Sequence, residues 1–220
     1  PTLGAFSVKA AVERAGLEGG EIDDVVFGAA MQQGSQTMNV ARLIALRAGL
    51  PVTVPGMSID RQCSSGLMTI ATAAKQIIVD RQDIAVAGGI ESISKVSGSG
   101  KVFIETDAEL IAMHKDTYMP MIGTAEVVAK RYNISREVQD EYSLQSQQRT
   151  AAAQAAGKFD DEIVAVDTSM GVQNKETGEI TFLVLSPSRH SVAIDKESFP
   201  TGIEIPSSGQ SSIPTALTDS

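Results

Sequence analysis

The stretch from residue 52 to residue 94 constrains the fold most strongly, because it places one long amphipathic helix between two short apolar segments. A β-branched run over residues 52–59 predicts a strand, and the apolar run at residues 84–89 predicts another. The helix between them is predicted to run to about Val79. Its apolar residues recur at helical spacing and are Leu67, Ile70, Ala71, Ala74, Ile77 and Ile78. A strand, a helix and a strand in this order are typical of a βαβ unit in a parallel sheet.

Upstream segments extend the same alternation. Residues 4–15 carry apolar residues on one face and predict a helix that Gly16 ends. Residues 24–31 predict a strand, and Asn39 is placed to cap a helix that runs to Ala48. The β-α-β-α-β order predicts an α/β layer, with a largely parallel sheet covered by helices.

The only cysteine of the chain, Cys63, falls at the turn between the predicted strand and the long helix. Unpaired N–H groups and the helix dipole stabilise an anion at such a position, and the thiolate is the reactive form of cysteine. Ser64 and Ser65 are candidate caps of the helix, and Gly66 leaves room for a substrate to approach the backbone. The alternative is that Cys63 is a buried small hydrophobe, as free cysteines usually are.

Composition excludes several classes of partner. The formal charge of −9 and the pI near 4.7 argue against binding to nucleic acid or to anionic membranes. A single cysteine cannot form an internal disulfide, so we expect a reducing compartment and a cytoplasmic location. The sequence has neither a signal peptide nor an apolar run that would span a bilayer, and its start at Pro1 leads us to expect a fragment.

The pattern weakens after residue 96. Ser97-Gly98-Ser99-Gly100 predicts a flexible break, so we place domains at residues 1–95 and 96–182. The elements predicted beyond the break are helices over residues 124–132 and 135–156, a strand over residues 163–166, and a hairpin of residues 168–173 and 179–185 that turns at Thr177-Gly178. The second helix has mostly polar faces and should lie on the surface.

Two motifs carry a family resemblance. Cys-Ser-Ser-Gly-Leu at residues 63–67 and Ala-Gly-Gly-Ile-Glu-Ser-Ile-Ser at residues 87–94 resemble the thiolase family, the acyl-CoA C-acyltransferases. The resemblance covers about residues 2 to 182 and continues through residues 39–42, 119–121, 124–126, 134–136, 139–140, 146–149 and 157–164. It implies a thiolase-like α/β fold, in which a βαβαβ layered half-core at residues 1–95 lacks its first strand. An α+β loop domain that holds coenzyme A would follow, and the C-terminal half of the family fold would be missing.

The resemblance also implies a chemistry. Thiolases transfer an acyl group in two steps, and Cys63 would be the nucleophile, with its backbone N–H in an oxyanion hole. Met121 would line the acyl pocket, and His114 is a candidate contact to coenzyme A. Acyl-CoA and coenzyme A would be substrates, with no separate cofactor and no metal. Many members have histidine where this chain has Pro120, which points away from the short-chain biosynthetic type.

Thiolases take a histidine base and a second acid/base from their C-terminal half, in Gly-His-Pro and Cys-x-Gly-Gly motifs. This chain has neither motif, and its histidines are His114 and His190. We therefore expect an inactive fragment of a degradative thiolase of fatty acid β-oxidation and lipid metabolism, forming a homodimer or tetramer. The alternative is a non-catalytic module that dimerises or holds coenzyme A. A ketoacyl synthase relative is disfavoured by residues 87–94 and by the loop domain.

Two features depart from the family pattern. Asp60 stands where many thiolases have asparagine; its carboxylate could raise the pKa of Cys63 or hold the turn by hydrogen bonds, and we favour the second. The resemblance ends at Phe182, and residues 183–220 form an atypical tail rich in Ser, Pro and Thr. The tail is either a lineage-specific insertion or the product of a frame slip, which we favour, and we expect it to be disordered.

Overall fold

The computed structural model describes residues 1–96, 104–174, 176–178 and 180–185. The chain divides into two units, Pro1–Ile104 and Glu105–Ser220. The break predicted at residues 97–100 lies outside the described residues.

The first unit is built on a sheet of three parallel strands in the order β2-β1-β3. The strands are β1 (Asp24–Gly28), β2 (Gly56–Ile59) and β3 (Ala85–Gly89). In the register of the sheet, Gly28 lies opposite both Ile59 and Gly89. The carboxyl ends of all three strands therefore meet at one edge, and the predicted α/β fold with a parallel sheet is confirmed.

In the described part of this unit, four α-helices accompany these strands. They are α1 (Thr2–Arg14), α2 (Val40–Arg47), α3 (Ser65–Lys75), which continues as a π-helical turn over Gln76–Asp80, and α4 (Ile93–Val96); short 3-10 turns span Gly19–Glu21 and Gly34–Gln36. Gly16 and Gly49, with φ of 68° and 88°, follow α1 and α2 in the left-handed conformation that commonly ends a helix. The predicted ends of both helices are confirmed.

The central strand β1 is buried along its whole length, and its side chains alternate between two faces. Val25 and Phe27 belong to a core formed with α1 and α2, whose contributing residues are Val8, Val12, Val40, Ala41, Ile44 and Ala45. Val26 is also fully buried but lies outside that core, on the face toward α3. Both faces of the strand are therefore covered by helices, as is usual for parallel sheets.

Helix α3 packs on the sheet through small residues. Ser65, Thr69 and Ala73 are its buried residues, and the Thr69 hydroxyl donates a hydrogen bond of 2.9 Å to the carbonyl oxygen of Gly88 in β3. Small side chains and a strand that ends in glycines allow the helix backbone to come close to the sheet.

The long aliphatic side chains of α3 and its π-helical turn are exposed on the outer side. They are Leu67, Ile70, Ile77, Ile78 and Val79, and Ile78 is 77% exposed. The predicted helix is present, but the apolar side chains that predicted it do not pack against this sheet. The side that packs consists of small residues instead, because the close approach of α3 to the sheet admits no larger ones.

A group of polar side chains fixes β2 against α2. Asn39, in the left-handed conformation with φ of 55°, accepts a hydrogen bond from the backbone N–H of Arg42 and donates one of 2.7 Å to the carbonyl of Gly56. The Arg42 guanidinium donates to the carbonyl oxygens of Val52 and Val54. Those carbonyls belong to a turn, so the strand predicted from residue 52 begins only at Gly56.

The second unit consists of helices followed by a hairpin. Its elements are α5 (Ala108–Met113), α6 (Met121–Arg131), α7 (Arg136–Ala155), β4 (Thr168–Gln173) and β5 (Ile180–Leu185). The strands pair antiparallel, and Gly178 in the turn has a φ of 71°, so the predicted hairpin is confirmed. The strand predicted at residues 163–166 is wrong, because those residues adopt neither strand nor helix.

Helix α7 has the limits that its sequence predicts. Ser135 caps it, its hydroxyl oxygen accepting a hydrogen bond of 3.4 Å from the N–H of Val138, and Gly157 with a φ of 67° lies just beyond its end. None of its residues is buried, which confirms the predicted surface helix.

Strand β5 reaches Leu185, three residues into the segment predicted as an atypical tail at 183–220. The first three residues of the predicted tail are therefore part of a hairpin. Residues 186–220, which include His190 and the segment of the proposed frame slip, lie outside the described residues. Within the part of the chain that the structure describes, no helix combines the length and the apolar character needed to cross a membrane.

Candidate active site

An open cleft of about 340 Å³ lies at the carboxyl ends of the three strands of the first unit. Its walls are residues 28–31 at the end of β1, residues 62, 63, 65 and 66 at the start of α3, residues 89–91 at the end of β3, and residue 93 at the start of α4. In open α/β sheets, ligands bind in the crevice outside the carboxyl ends of the strands. Cys63 lies in this cleft and is exposed. Its exposure excludes the alternative that Cys63 is a buried packing residue.

The turn that carries Cys63 is held by hydrogen bonds of the neighbouring serines. The Ser65 hydroxyl accepts a bond of 2.9 Å from the N–H of Arg61 and donates one of 2.6 Å to the carbonyl of Gln62. The Ser64 hydroxyl donates to the carbonyl of Arg61 at 2.9 Å. Neither serine accepts a capping hydrogen bond at the start of α3. The predicted caps are wrong: both hydroxyls hold the turn instead.

Gln62, directly before Cys63, adopts a left-handed conformation with a φ of 49°. Such a conformation costs a residue with a side chain about 1–3 kcal/mol, and it persists only where the surroundings enforce it. Asp60 contributes to that enforcement, because its carboxylate accepts a hydrogen bond of 2.7 Å from the N–H of Gln62. This contact supports the interpretation in which Asp60 holds the turn.

The first turn of α3 offers hydrogen-bond donors beside the sulfur. The N–H groups of Ser64 and Ser65 donate to the carbonyls of Arg61 and Gln62. Those of Gly66 and Leu67 have no acceptor among the residues that the structure describes, as is usual where a helix begins. Together with the helix dipole, they favour negative charge in the cleft.

Glycines determine how closely the elements of the cleft approach each other. A Cβ on Gly28 would stand 2.6 Å from the carbonyl carbon of Ser65, so only glycine lets β1 end against the start of α3. A Cβ on Gly89 would lie 3.3 Å from the carbonyl oxygen of Gly28. Gly66 differs, because among the described residues no atom outside its own turn of α3 lies within 4 Å of the position that its Cβ would take. The space predicted beside Gly66 is therefore present.

The other two predicted site residues belong to the second unit. Met121 is the first residue of α6 and is 71% exposed. His114 directly follows α5 as its C-cap, and its backbone N–H donates a hydrogen bond of 2.8 Å to the carbonyl of Leu110. Their roles in binding the acyl chain and coenzyme A stay predictions. In the described part of the chain, no three His, Cys, Asp or Glu side chains form a group that could hold a metal ion.

Sequence reasoning missed two residues of the site. Gln36 is only 2% exposed, and its side chain donates a hydrogen bond of 2.6 Å to Glu91 in the wall of the cleft. The two residues are 55 positions apart, and no spacing rule connects them. The only sequence signal is that Glu91 lies within the motif of residues 87–94.

Comparison with known proteins agrees with this geometry. The family described as "Thiolase, N-terminal domain" matches residues 1–184. A 3-ketoacyl-CoA thiolase of Bacillus subtilis is 46% identical over 168 residues, which cover 76% of this chain and 43% of that protein. An acetyl-CoA acetyltransferase of Cupriavidus necator is 43% identical over 177 residues, covering 76% and 45%.

A solved structure shows the same fold. The crystal structure of the Bacillus anthracis acetyl-CoA acetyltransferase superposes with a TM-score of 0.63 at 33% sequence identity, over 86% of this chain and 48% of that one. The chain thus spans about half the length of the relatives that it matches. By the extent of these matches and by the cysteine cleft, the chain belongs to the thiolase family.

Proposed function

We propose that this chain carries the nucleophilic part of a thiolase active site, in which Cys63 accepts an acyl group from a coenzyme A thioester. One observation carries the proposal: the only cysteine of the chain is exposed in the cleft where three parallel strands end and α3 begins. The relatives named as thiolases and acetyltransferases supply the reaction class.

In the first step, the Cys63 thiolate attacks the 3-keto carbon of a 3-ketoacyl-CoA. The bond between that carbon and the α-carbon breaks, and its electron pair goes to the α-carbon, which takes up a proton and leaves as acetyl-CoA. The shortened acyl group remains on Cys63 as a thioester. The backbone N–H of Cys63 and the unpaired N–H groups in the first turn of α3 stabilise the negative charge that develops on the 3-keto oxygen.

In the second step, the sulfur of free coenzyme A attacks the acyl thioester. The Cys63 thiolate is the leaving group, and the thiol proton of coenzyme A passes to a base. The second step therefore needs a base close to the sulfur. In the first step a thiolate attacks without a base, and water in the open cleft can supply the proton to the α-carbon. The chain has no second cysteine, and the described cleft contains no histidine. We expect the chain alone to become acylated without completing turnover.

The wider context is proposed on the same basis. Acyl-CoA and coenzyme A are the small-molecule partners, and the name of the 3-ketoacyl-CoA thiolase relative favours the degradative direction, in fatty acid β-oxidation. The exposed thiol favours a reducing compartment, which we take to be the cytoplasm. We propose a homodimer or tetramer as the assembled form.

A second candidate function is a non-catalytic module that dimerises or holds coenzyme A. The observation in its favour is the outward aliphatic side of α3, defined by Leu67, Ile70, Ile77, Ile78 and Val79, because exposed apolar surface of this kind is typical of interfaces. Dimerisation without any acylation of Cys63 would favour this second function.

Mass spectrometry after incubation with acetoacetyl-CoA tests the proposal. We expect one acetyl group on the peptide that contains Cys63 and none on the Cys63→Ala variant. The matched control is Ser143→Ala, which removes an exposed hydroxyl of α7 and keeps the thiol and its turn, and which should still be acetylated. Absence of the adduct from the folded wild-type chain would refute acyl transfer to Cys63 by this chain.

A further inference from the structure

Gln36 and Glu91 form a clamp across the cleft, made of four hydrogen bonds. The Gln36 amide nitrogen donates to the carbonyl of Met31 at 2.9 Å and to one carboxylate oxygen of Glu91 at 2.6 Å. The Gln36 amide oxygen accepts from the N–H of Ser92 at 2.5 Å. The second carboxylate oxygen of Glu91 accepts from the N–H of Ala30 at 2.7 Å. We call these two side chains the clamp.

The clamp gives both polar atoms of a buried amide their hydrogen-bond partners. Both N–H groups of the Gln36 side chain donate and its oxygen accepts, while the residue is only 2% exposed. A buried amide that lost one of these partners would carry the cost of an unsatisfied polar group. One partner is a carboxylate, and hydrogen bonds to charged groups are the stronger kind. These hydrogen bonds therefore favour one orientation of the Gln36 and Glu91 side chains.

The clamp joins two walls of the cleft that contains Cys63. Ala30 and Met31 lie just beyond β1, and Glu91 lies just beyond β3, at the same edge of the sheet. Ala30, Met31 and Glu91 all line the cleft. Loops after strands have no backbone ladder of their own to fix them, so side-chain bonds such as these determine their distance from each other and from the sulfur.

We propose that Gln36 and Glu91 are positioning residues that fix the wall of residues 30–31 and so define the space beside the Cys63 sulfur that the acyl group occupies. This inference rests on the proposed function only where it names an acyl group as the occupant of that space. Both carboxylate oxygens of Glu91 already accept hydrogen bonds, which assigns this group to holding the wall. The clamp controls the shape of the cleft, and the shape determines which reagents reach Cys63 most readily.

Exchanging the two side chains provides a test that separates the clamp from general stability. In Glu91→Gln, the new amide oxygen can accept from Gln36 or from the N–H of Ala30 but not from both, and in Gln36→Glu two carboxylates face each other. Each single variant therefore loses a hydrogen bond of the clamp, and Gln36→Glu loses the bond between the two side chains. The double variant restores it with the direction reversed: the amide at position 91 donates to the carboxylate at position 36. The bonds from Ala30 and Ser92 are also kept, and only the bond to Met31 is lost.

The readout is the reaction of Cys63 with two alkylating reagents, iodoacetamide and the bulkier N-phenylmaleimide, on the full chain. Because the chain has a single cysteine, all alkylation reports this thiol. We expect each single variant to change the ratio of the two rates about tenfold, in keeping with a lost charged hydrogen bond, and the double variant to return within about twofold of the wild type. Glu13→Gln, the same change on an exposed side chain of α1, should leave the ratio unchanged.

Unchanged ratios in folded single variants, or a double variant that stays as altered as the single ones, would overturn the proposal. Glu91→Asp serves if Gln36→Glu fails to fold: it keeps the charge but is too short to reach both partners, and it should shift the ratio in the same direction as Glu91→Gln. Acylation by acetoacetyl-CoA, measured on the same variants, tests the proposed function separately. If the alkylation ratio depends on the clamp but Cys63 is not acylated, only the proposed acyl transfer is refuted, and the positioning role of the clamp stands.

Discussion

The contact between Gly28 and Ser65 makes a prediction whose sign and size follow from the structure. In Gly28→Ala, the new methyl group would stand 2.6 Å from the carbonyl carbon, 2.7 Å from Cβ and 2.8 Å from the carbonyl oxygen of Ser65. Two of these atoms belong to the backbone and cannot rotate away. Ser65 also holds the cysteine turn through Arg61 and Gln62, so the start of α3 cannot shift without straining that turn.

The magnitude can be estimated from the displacement. The shortest contact must lengthen by about 0.8 Å, from 2.6 Å to the 3.4 Å at which ordinary contact begins. Overpacking of this kind costs about 1–3 kcal/mol. Gly66→Ala is the matched control, because its methyl group would meet no atom within 4 Å. There the helix should gain about 0.5–1 kcal/mol, as alanine replaces glycine in a helix. The two substitutions should therefore have opposite effects on the free energy of unfolding.

The assay must report on the first unit. The chain has no tryptophan, and its tyrosines, at positions 118, 132 and 142, all belong to the second unit. Urea unfolding followed by far-UV circular dichroism gives the total change, and hydrogen exchange measured on peptides of α3 locates it. We expect faster exchange in Gly28→Ala and slower exchange in Gly66→Ala. Equal protection of α3 in wild type and Gly28→Ala would refute the packing argument.

Three further predictions concern the surface and the charges. Ile78→Glu should raise the solubility of the chain and leave its urea midpoint unchanged, because Ile78 is exposed on the outer side of α3. Asp23→Asn should lower the stability of the chain at neutral pH and make that stability less dependent on acid. Hydrogen bonds from the N–H groups of Ile84 and Asp83 hold the pKa of Asp23 below its ordinary value. The stabilisation by Asp23 is therefore complete above the ordinary pKa of an aspartate and is lost as the pH falls through the folded-state pKa. Ser135→Ala should destabilise α7 by about 1 kcal/mol through loss of its cap, read from tyrosine fluorescence in urea.

Each of these predictions has an outcome that would contradict it, and Ser135→Ala also has a matched control. A lowered urea midpoint in Ile78→Glu would show that the side chain is packed, contrary to its exposure. Identical pH dependence in the wild type and Asp23→Asn would remove the carboxylate from the account of acid stability. Ser143→Ala, an exposed serine inside α7, should cost less than Ser135→Ala, and the reverse order would refute the capping argument.

Much of the framework was predictable from the sequence because it depends on local periodicity and on a few special residues. Gly16, Gly49 and Gly157 end their helices in left-handed conformations. Asn39 and Ser135 begin theirs as predicted caps. The position of Cys63 followed from the order of a strand and a helix. Errors arose where apolar residues did not form the expected element, as at residues 163–166 and in the turn before Gly56.

The interior of the site could not be predicted, because it depends on contacts between distant parts of the chain. The serines after Cys63 read as helix caps, yet their hydroxyls bind the preceding turn. The hydrogen bond between Gln36 and Glu91 joins one residue that precedes α3 in the sequence to one that follows it. A single glutamine gives no sign in the sequence that it will be buried. The inward face of α3 is made of small residues that a search for apolar periodicity passes over, so the sequence indicated a helix but not which side would pack.

The two sides of α3 lead to different expectations for tolerance to substitution. On the side toward the sheet, Thr69 and Ala73 limit the size of a replacement, since neither leaves room for a longer side chain. On the outer side, Leu67 and Ile78 impose no limit on polarity within this chain. A complete survey of substitutions should therefore record tolerance at the outer positions here. Where the same survey of one of the longer relatives records intolerance instead, the difference would outline the surface that those proteins bury.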